Sequence, residues 1–164
     1  MQVSKKIVVL GHFGVGKTSL IRRFVEDSFS DNYKVSIGVH ITKKVVEIKN
    51  DSVSLILWDL EGTDDIATIR DSYLLGTHGV VFVFDVTRPS TFQGLTSDIT
   101  IVKQKITNIP LLIVGNKVDL VVQEELELLL KEHSISTDFL TSAKTGDEVN
   151  TLFSHLAQLI TADA

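Results

Sequence analysis

Short apolar runs alternate along the chain with stretches in which hydrophobic positions recur every three or four residues. The first run, residues 6–10, is rich in β-branched side chains and predicts a buried strand. From Gly16 onward, Leu20, Ile21 and Phe24 share one face at helical spacing, which predicts a helix. Residues 27–37, DSFSDNYKVSI, are polar and show no period, so we expect a loop.

The rest of the chain continues this alternation. VHITKKVVEIK and SVSLILWD flank a turn at residues 50–52 and predict an antiparallel hairpin. Further strands are predicted in GVVFVFD, IPLLIVGN and STDFLTS, and helices near residues 66–75, 90–107, 122–133 and 147–161. Apolar strands that alternate with helices are typical of a mostly parallel sheet covered on both faces. The pattern predicts an α/β fold in one domain over residues 1–164.

Size and charge narrow the function classes. A chain of 164 residues suits one domain and is too short for two ordinary ones. Sixteen basic against twenty-one acidic side chains leave a net charge of −5, which does not favour nonspecific nucleic-acid binding. No apolar run reaches the roughly 18 residues that span a bilayer, and the N-terminus lacks the apolar core of a signal peptide. We therefore expect a monomeric cytoplasmic protein without nucleic-acid partners.

Lipid attachment and thiol chemistry are not expected either. The chain has no cysteine, which excludes disulfides, thiolate metal sites and prenyl or palmitoyl groups on this chain. Gln2 after the initiator methionine excludes N-myristoylation. We therefore expect no lipid anchor on these residues.

The connection between the first strand and the first helix carries the strongest chemical signal. GHFGVGKT, residues 11–18, fits the pattern G-x-x-x-x-G-K-[ST] in the strand–loop–helix context that the pattern requires. Glycines let backbone N–H groups surround phosphates, and the helix N-terminus adds its positive end. Lys17 is predicted to reach the outer phosphates, and the Thr18 hydroxyl to bind Mg²⁺. The predicted phosphate-binding residues are Phe13, Gly14, Val15, Gly16, Lys17, Thr18 and Ser19.

Two later strand ends are expected to meet this loop. Asn116, Lys117 and Asp119 follow the strand LLIVG, and the tripeptide SAK, which consists of Ser142, Ala143 and Lys144, follows STDFLT. In an open α/β sheet, ligands bind at the carboxyl ends of the strands, so the three segments should share one crevice. The Asp119 carboxylate can accept from two N–H donors, which the edge of a guanine ring presents and adenine cannot match. The sequence therefore predicts a guanine-nucleotide site.

These motifs, together with Asp59 and Gly62 in WDLEGTDD, resemble the Ras-like small GTPases over essentially the whole chain. SIGV and GVVFVFDVTRPSTF are most similar to the Rab branch. The resemblance implies a six-stranded sheet with one antiparallel strand, five main helices and a GTP/GDP switch with Mg²⁺. It also implies that effector and regulator proteins bind two loops, residues 28–38 and 60–75.

The resemblance assigns roles to further residues. Ser36 would complete the Mg²⁺ shell only when GTP is bound, and Asp59 would hold the metal through water. The Gly62 N–H would contact the γ-phosphate. Phe29 would lie against the guanine, Lys117 along the ring, and the Ala143 N–H on the base oxygen.

Three positions depart from the pattern of the family and bear on hydrolysis. Thr63 replaces the glutamine that orients the attacking water, and Glu61 replaces a small residue. Phe13 stands where the family prefers a small residue, so it would crowd the γ-phosphate and an inserted arginine. Ser36 replaces a threonine but keeps the hydroxyl. With Lys17, Gly62 and Thr63 as the catalytic candidates, we expect nucleotide binding to be retained and hydrolysis to be slow.

Two functions remain open at this point. One is a switch that hydrolyses GTP slowly, favoured by Ser36, Asp59 and Gly62. The other is an interaction module that is stabilised by nucleotide and does not cycle, favoured by Phe13 and Thr63. A P-loop small-molecule kinase is a poor third candidate, because the four arginines do not cluster into a lid.

A few conspicuous side chains have simpler interpretations. Trp58 ends an apolar strand and is expected in the core. His12 is expected to face solvent rather than phosphate. Arg70 and Asp71 are expected in a surface ion pair, although a contact with regulators is an alternative. Tyr33 either folds over the phosphates or is an exposed loop residue.

Overall fold

The computed structural model describes residues 3–27, 29, 38–61 and 65–162. In these residues six strands form one sheet, and they are β1 Val3–Gly11, β2 Gly38–Ile48, β3 Asp51–Glu61, β4 Gly79–Asp85, β5 Leu111–Asn116 and β6 Phe139–Thr141. The α-helices of the described residues are α1 Lys17–Glu26, α2 Asp71–Leu74, α3 Leu95–Lys105, α4 Gln123–Glu132 and α5 Val149–Thr161. Short 3₁₀ turns cover Ile66–Thr68, Pro89–Thr91 and Val118–Leu120.

The strand order across the sheet is β2-β3-β1-β4-β5-β6. Only the β2–β3 hairpin is antiparallel among these strands, and every other pairing is parallel. The predicted hairpin and the predicted mostly parallel sheet are therefore confirmed. The parallel strands place their carboxyl ends along one edge, where the loops with chemical signals begin.

Helices cover both faces of the sheet, since the central strands have apolar side chains on both sides that must be buried. All seven residues of β4 are buried. On one face α1 and α5 pack with Phe24 stacked on Phe153, their ring centroids 4.3 Å apart. On the other face α3 and α4 cover a core that contains Phe84 and Phe92. The two cores hold the strand ends in place.

The predicted helix over residues 66–75 is wrong. This segment is a 3₁₀ turn followed by a four-residue helix, because Ile69 and Arg70 have extended backbone with ψ of 131°. The predicted ion pair is also wrong, because Asp71 pairs with Lys105 Nζ at 3.1 Å, whereas the Arg70 guanidinium lies 5.9 Å from the Tyr73 ring.

Other helix boundaries move by a few residues. The helix predicted over 90–107 begins at Leu95, after the turn Pro89–Thr91. The last helix begins at Val149 rather than at residue 147, because Glu148 has a positive φ of 60°. No helix in the described part of the chain combines the length and apolarity that a membrane crossing requires.

Trp58 does not lie in the closed core as predicted. It is partly buried at the margin of the core on the α3 side. The ammonium group of Lys6 lies 3.7 Å from the centre of its ring. The same ammonium donates to the carbonyl oxygens of Tyr73 and Leu75, at 2.6 and 2.8 Å. Lys6 thereby fixes the end of α2 against the first strand.

Candidate functional site

The predicted phosphate loop, residues 11–18, joins the carboxyl end of β1 to α1 beside the end of β4. Two of its glycines leave no room for a side chain. A Cβ on Gly11 would lie 2.3 Å from the Val83 carbonyl oxygen, and one on Gly16 would lie 2.4 Å from Asn116 Nδ2. Both glycines have positive φ, 150° and 101°, which other residues adopt only under strain. Gly11 and Gly16 therefore allow the backbone of the loop to lie close to the ends of β4 and β5.

Lys17 is fully buried at the centre of this loop. Its ammonium group donates to the carbonyl oxygens of Gly11, at 2.8 Å, and of His12, at 3.1 Å. A buried ammonium needs hydrogen-bond acceptors around it. The inner side of the loop therefore carries a positive charge where a phosphate can bind.

Asn116, the last residue of β5, and Lys117, which follows it, tie this loop to the end of β5. Asn116 Nδ2 donates to the Val15 carbonyl oxygen at 3.1 Å, and Lys117 Nζ donates to that of Gly14 at 2.9 Å. Lys117 Nζ also lies 2.9 Å from Oδ2 of the fully buried Asp85. The structure thus brings the phosphate motif and the first half of the predicted base motif into direct contact.

Thr18 and Asp59 form the second part of the site. The Thr18 hydroxyl donates to Asp59 Oδ2 at 2.5 Å, and Asp59 is buried at the end of β3. Burial raises the pKa of the Asp59 carboxyl, while the hydrogen bond from Thr18 and the nearby charge of Lys17 act in the opposite direction. The other oxygen, Oδ1, is buried and has no hydrogen-bond partner among the described residues. An orphaned carboxylate oxygen beside a hydroxyl fits the oxygen ligands that Mg²⁺ prefers.

Asp119 and Ser142 form the third part. Asp119 is exposed in the turn Val118–Leu120, and its Oδ1 accepts a hydrogen bond of 2.7 Å from the Ser142 hydroxyl. Ser142 Oγ also accepts from the backbone N–H of Thr145 at 3.0 Å. One oxygen of the Asp119 carboxylate is therefore fixed, while the side chain remains exposed. This geometry suits the carboxylate to accept hydrogen bonds from a ligand.

The backbone of the SAK segment is held by side chains from two directions. The Ala143 N–H donates to Asn116 Oδ1 at 3.3 Å, and the hydroxyl of Thr141 donates to the same oxygen at 3.1 Å. From α1, Arg23 Nε donates to the Ala143 carbonyl oxygen at 2.8 Å, and Arg23 Nη2 donates to that of Lys144 at 2.7 Å. Sequence analysis missed Arg23 because nothing local links it to a segment 120 residues away.

His12 does not face solvent as predicted. Its Nε2 lies 2.9 Å from Asp98 Oδ2 on α3, and both side chains are less than one-fifth exposed. The next residue, Phe13, offers its carbonyl oxygen to Arg88 Nη1 at 2.9 Å. Sequence analysis missed the roles of Asp98 and Arg88, since neither belongs to the phosphate motif or the base motif.

Some predicted site residues add little or lie outside the described part. Ser19 is partly exposed in the first turn of α1, Lys144 is exposed, and Phe29 packs partly buried against the core on the α1 side. The following positions lie outside the described residues: Tyr33, Ser36, Gly62 and Thr63. Their assignments stay predictions.

Comparison with known proteins agrees with this arrangement. The family model described as the Ras family matches residues 6–162. The chain is 35% identical over 159 residues to the Ras-related protein Rab-13 of Rattus norvegicus, covering 93% of this chain and 78% of that protein. It is 38% identical over 161 residues to the Ras-related protein SEC4 of Saccharomyces cerevisiae, covering 94% and 74%. It is 34% identical over 166 residues to the Ras-related protein Rab-32C of Dictyostelium discoideum, covering 96% and 74%.

Proposed function

This chain belongs to the Ras family of small GTPases, and from that premise we propose that it is a guanine-nucleotide switch that hydrolyses GTP slowly. Two loops, residues 28–38 and 60–75, would report the state of the nucleotide to effectors and regulators. Rab-like relatives support the switch in general terms. The slow hydrolysis and the two reporting loops are proposals for this chain.

The contact between the phosphate loop and the base motif carries the proposal. Asn116 and Lys117 hold the carbonyl oxygens of Val15 and Gly14 while they stand next to the turn that bears Asp119. A ligand bound between them would span from the positive phosphate loop to an exposed carboxylate. A guanosine phosphate has this combination, an anionic end and a pair of N–H donors on the base.

Thr18 and Asp59 would hold Mg²⁺, with Ser36 as a further ligand in the GTP state. The bound ion would neutralise charge that builds up on the phosphates during transfer. Lys17 would do the same from inside the loop, since its ammonium is buried there. The Gly62 N–H would contact the γ-phosphate and so couple the second loop to the nucleotide.

Hydrolysis would be slow because Thr63 stands where the family has the glutamine that orients the attacking water. Thr63 is shorter than glutamine and cannot reach the water and the γ-phosphate together. Glu61 would add negative charge near the phosphates, which opposes the charge of the transition state. Phe13 would obstruct an arginine supplied by a partner. Phe13 and Thr63 also favour the alternative, an interaction module that holds nucleotide without cycling.

Hydrogen exchange of the wild type and of a Ser36→Ala variant should distinguish a switch from a static interaction module. Closure of the loops around GTP depends on Mg²⁺ contacts made only in the GTP state, so order of the loops follows the γ-phosphate. We expect wild-type residues 28–38 and 60–75 to exchange backbone hydrogen more slowly with a non-hydrolysable GTP analogue than with GDP. In the variant that difference should shrink while GDP affinity stays nearly constant. Equal exchange in both states of the wild type would favour the static module.

Arg23 offers a test of the base end of the site. Arg23→Ala removes two hydrogen bonds that hold the backbone carbonyls of Ala143 and Lys144. We expect GDP to dissociate about tenfold faster, since hydrogen bonds from a charged donor contribute about 1.5–3 kcal/mol. Preference for GDP over 2-aminopurine riboside diphosphate, which lacks the base oxygen, should fall as well.

The neighbouring arginine provides the matched control. Arg22 is exposed on the same helix, so Arg22→Ala removes an equal charge without removing a hydrogen bond to the SAK segment. We expect GDP dissociation and base preference to stay at the wild-type values in this variant. Similar effects of the two substitutions would mean that Arg23 acts through its charge alone.

A further inference from the structure

The carbonyl oxygens of the phosphate loop face two different sides. Those of Gly11 and His12 face the buried ammonium of Lys17. Those of Gly14 and Val15 are held from outside the loop by Lys117 and Asn116, as described above. The direction of the carbonyl groups therefore reverses between His12 and Gly14. The peptide group that joins Phe13 to Gly14 lies at this reversal.

That peptide group is held by a residue outside the phosphate and base motifs. Arg88 Nη1 donates to the Phe13 carbonyl oxygen at 2.9 Å, across 75 residues of sequence. A Cβ on Gly14 would lie 2.8 Å from the same nitrogen, so the absence of a side chain there lets the guanidinium approach. Arg88 thus adds one more peptide group to the two that Asn116 and Lys117 hold.

Planarity of the peptide group decides what this contact does. In a trans peptide the C=O and the following N–H point in opposite directions, and no cis peptide occurs in the described residues. Holding the Phe13 carbonyl outward therefore directs the Gly14 N–H inward. The next peptide shows the same effect, since Lys117 holds Gly14 O while the Val15 N–H points to His12 O, 3.4 Å away on the Lys17 side.

Arg88 is itself mounted on a well-braced turn. Its backbone N–H donates to the Asp85 carbonyl oxygen at 3.0 Å, and its carbonyl oxygen accepts from the Thr91 hydroxyl at 2.8 Å. Asp85 Oδ1 accepts from the N–H and the hydroxyl of Thr87, at 2.8 and 2.6 Å. Pro89 restricts the backbone directly after Arg88. The backbone that carries Arg88 is therefore already ordered, and only its side chain loses freedom when it makes the contact.

We propose that Arg88 is a positioning residue for the phosphate loop, which directs the Gly14 N–H toward the β-phosphate of a bound nucleotide. This inference rests on the proposed function, because it takes the loop to bind a guanosine phosphate. It explains how a loop with a bulky Phe13 keeps its anion-binding form, since the anchor acts on the backbone of Phe13 and needs no particular side chain there. His12, one residue earlier, is anchored separately to Asp98.

The test compares nucleotides that differ at the β-phosphate. Arg88→Met keeps the aliphatic length and removes the donor. We expect the dissociation constant for GDP with Mg²⁺ to rise about tenfold, the effect of one hydrogen bond from a charged donor. The dissociation constant for GMP, measured by competition with a fluorescent GDP derivative, should rise by much less than tenfold, because GMP has no β-phosphate. Arg88→Lys, which keeps a charged donor on a shorter chain, should recover part of the GDP affinity.

Two controls separate a positioning role of Arg88 from the mere loss of its charge. Lys103 is exposed on α3, so Lys103→Met removes an equal charge and should leave both constants unchanged. The GDP defect of Arg88→Met should persist at high salt, where attraction between distant charges is screened. A GDP defect that disappears at high salt, or an equal loss of GDP and GMP affinity, would overturn the positioning role. Wild-type protein that binds neither nucleotide would instead overturn the proposed function, and the role of Arg88 with it.

Discussion

Replacing Asp119 with asparagine is expected to weaken GTP binding by roughly 3–5 kcal/mol, a factor of about a hundred or more, by analogy with truncated charge pairs that are buried in a complex, since the bound base would cover this exposed carboxylate. The physical reason lies in the carboxylate, which can accept both N–H groups of the guanine edge. Ser142 holds one of its oxygens at 2.7 Å, so the group is already oriented before a ligand arrives. An asparagine would present one acceptor and one donor instead. The variant should therefore admit xanthosine triphosphate, whose ring edge carries an oxygen where guanine has an amino group.

Competition experiments with a fluorescent GTP derivative would measure this change. The protein should be titrated with GTP, ATP and xanthosine triphosphate in wild-type and variant forms. Asp147 is exposed in the loop that follows the SAK segment, so Asp147→Asn is a control for the loss of one negative charge nearby. It should leave all three affinities unchanged. Wild-type protein that binds ATP as tightly as GTP would show that the assignment of the base pocket is wrong.

Restoring a glutamine at position 63 and a small residue at position 13 is expected to raise the rate of GTP hydrolysis. Phosphoryl transfer depends on positioning and charge stabilisation, so a missing water-orienting group lowers the rate directly. Thr63→Gln should raise single-turnover hydrolysis about tenfold, below the roughly hundredfold that a positioned proton-transfer group contributes. Adding Phe13→Gly should raise it further and open the loop to a partner's arginine, which contributes about 10³–10⁵ in related reactions.

The measurement should follow a single turnover of GTP preloaded on the protein, so that product release does not limit the rate. Nucleotide affinity must be measured in parallel, since binding is expected to stay nearly constant. Thr96 is exposed on α3, and Thr96→Gln should leave the rate at the wild-type value. Wild-type turnover at or above that of the double variant would contradict the account. It would indicate a catalytic group other than the residues assigned above.

Local patterns predicted most of the strands and helices, and they placed the phosphate and base motifs directly after strands. An apolar run bounded by turn residues specifies a strand, and the glycines, Lys17 and Thr18 act within eight neighbouring positions. The rule that ligands bind at the carboxyl ends of parallel strands then predicted that Asn116 would meet this loop, as it does at Val15. Periodicity failed at residues 66–75, where the backbone extends at Arg70 although the apolar spacing favours a helix.

The sequence by itself determined the succession of most strands and helices along the chain, the hairpin and the positions of the motifs predicted to bind phosphate and base. These depend on backbone preferences and on side chains a few positions apart. Only the tertiary structure decided which distant polar side chains support the motifs: Arg23 beneath Ala143, Arg88 behind Phe13 and Asp98 beside His12. Many other polar residues of the chain have local sequence surroundings like those of these three. Which of them reaches a backbone carbonyl depends on the strand order and on how each helix packs on the sheet, because a hydrogen bond requires its two atoms to lie about 3 Å apart.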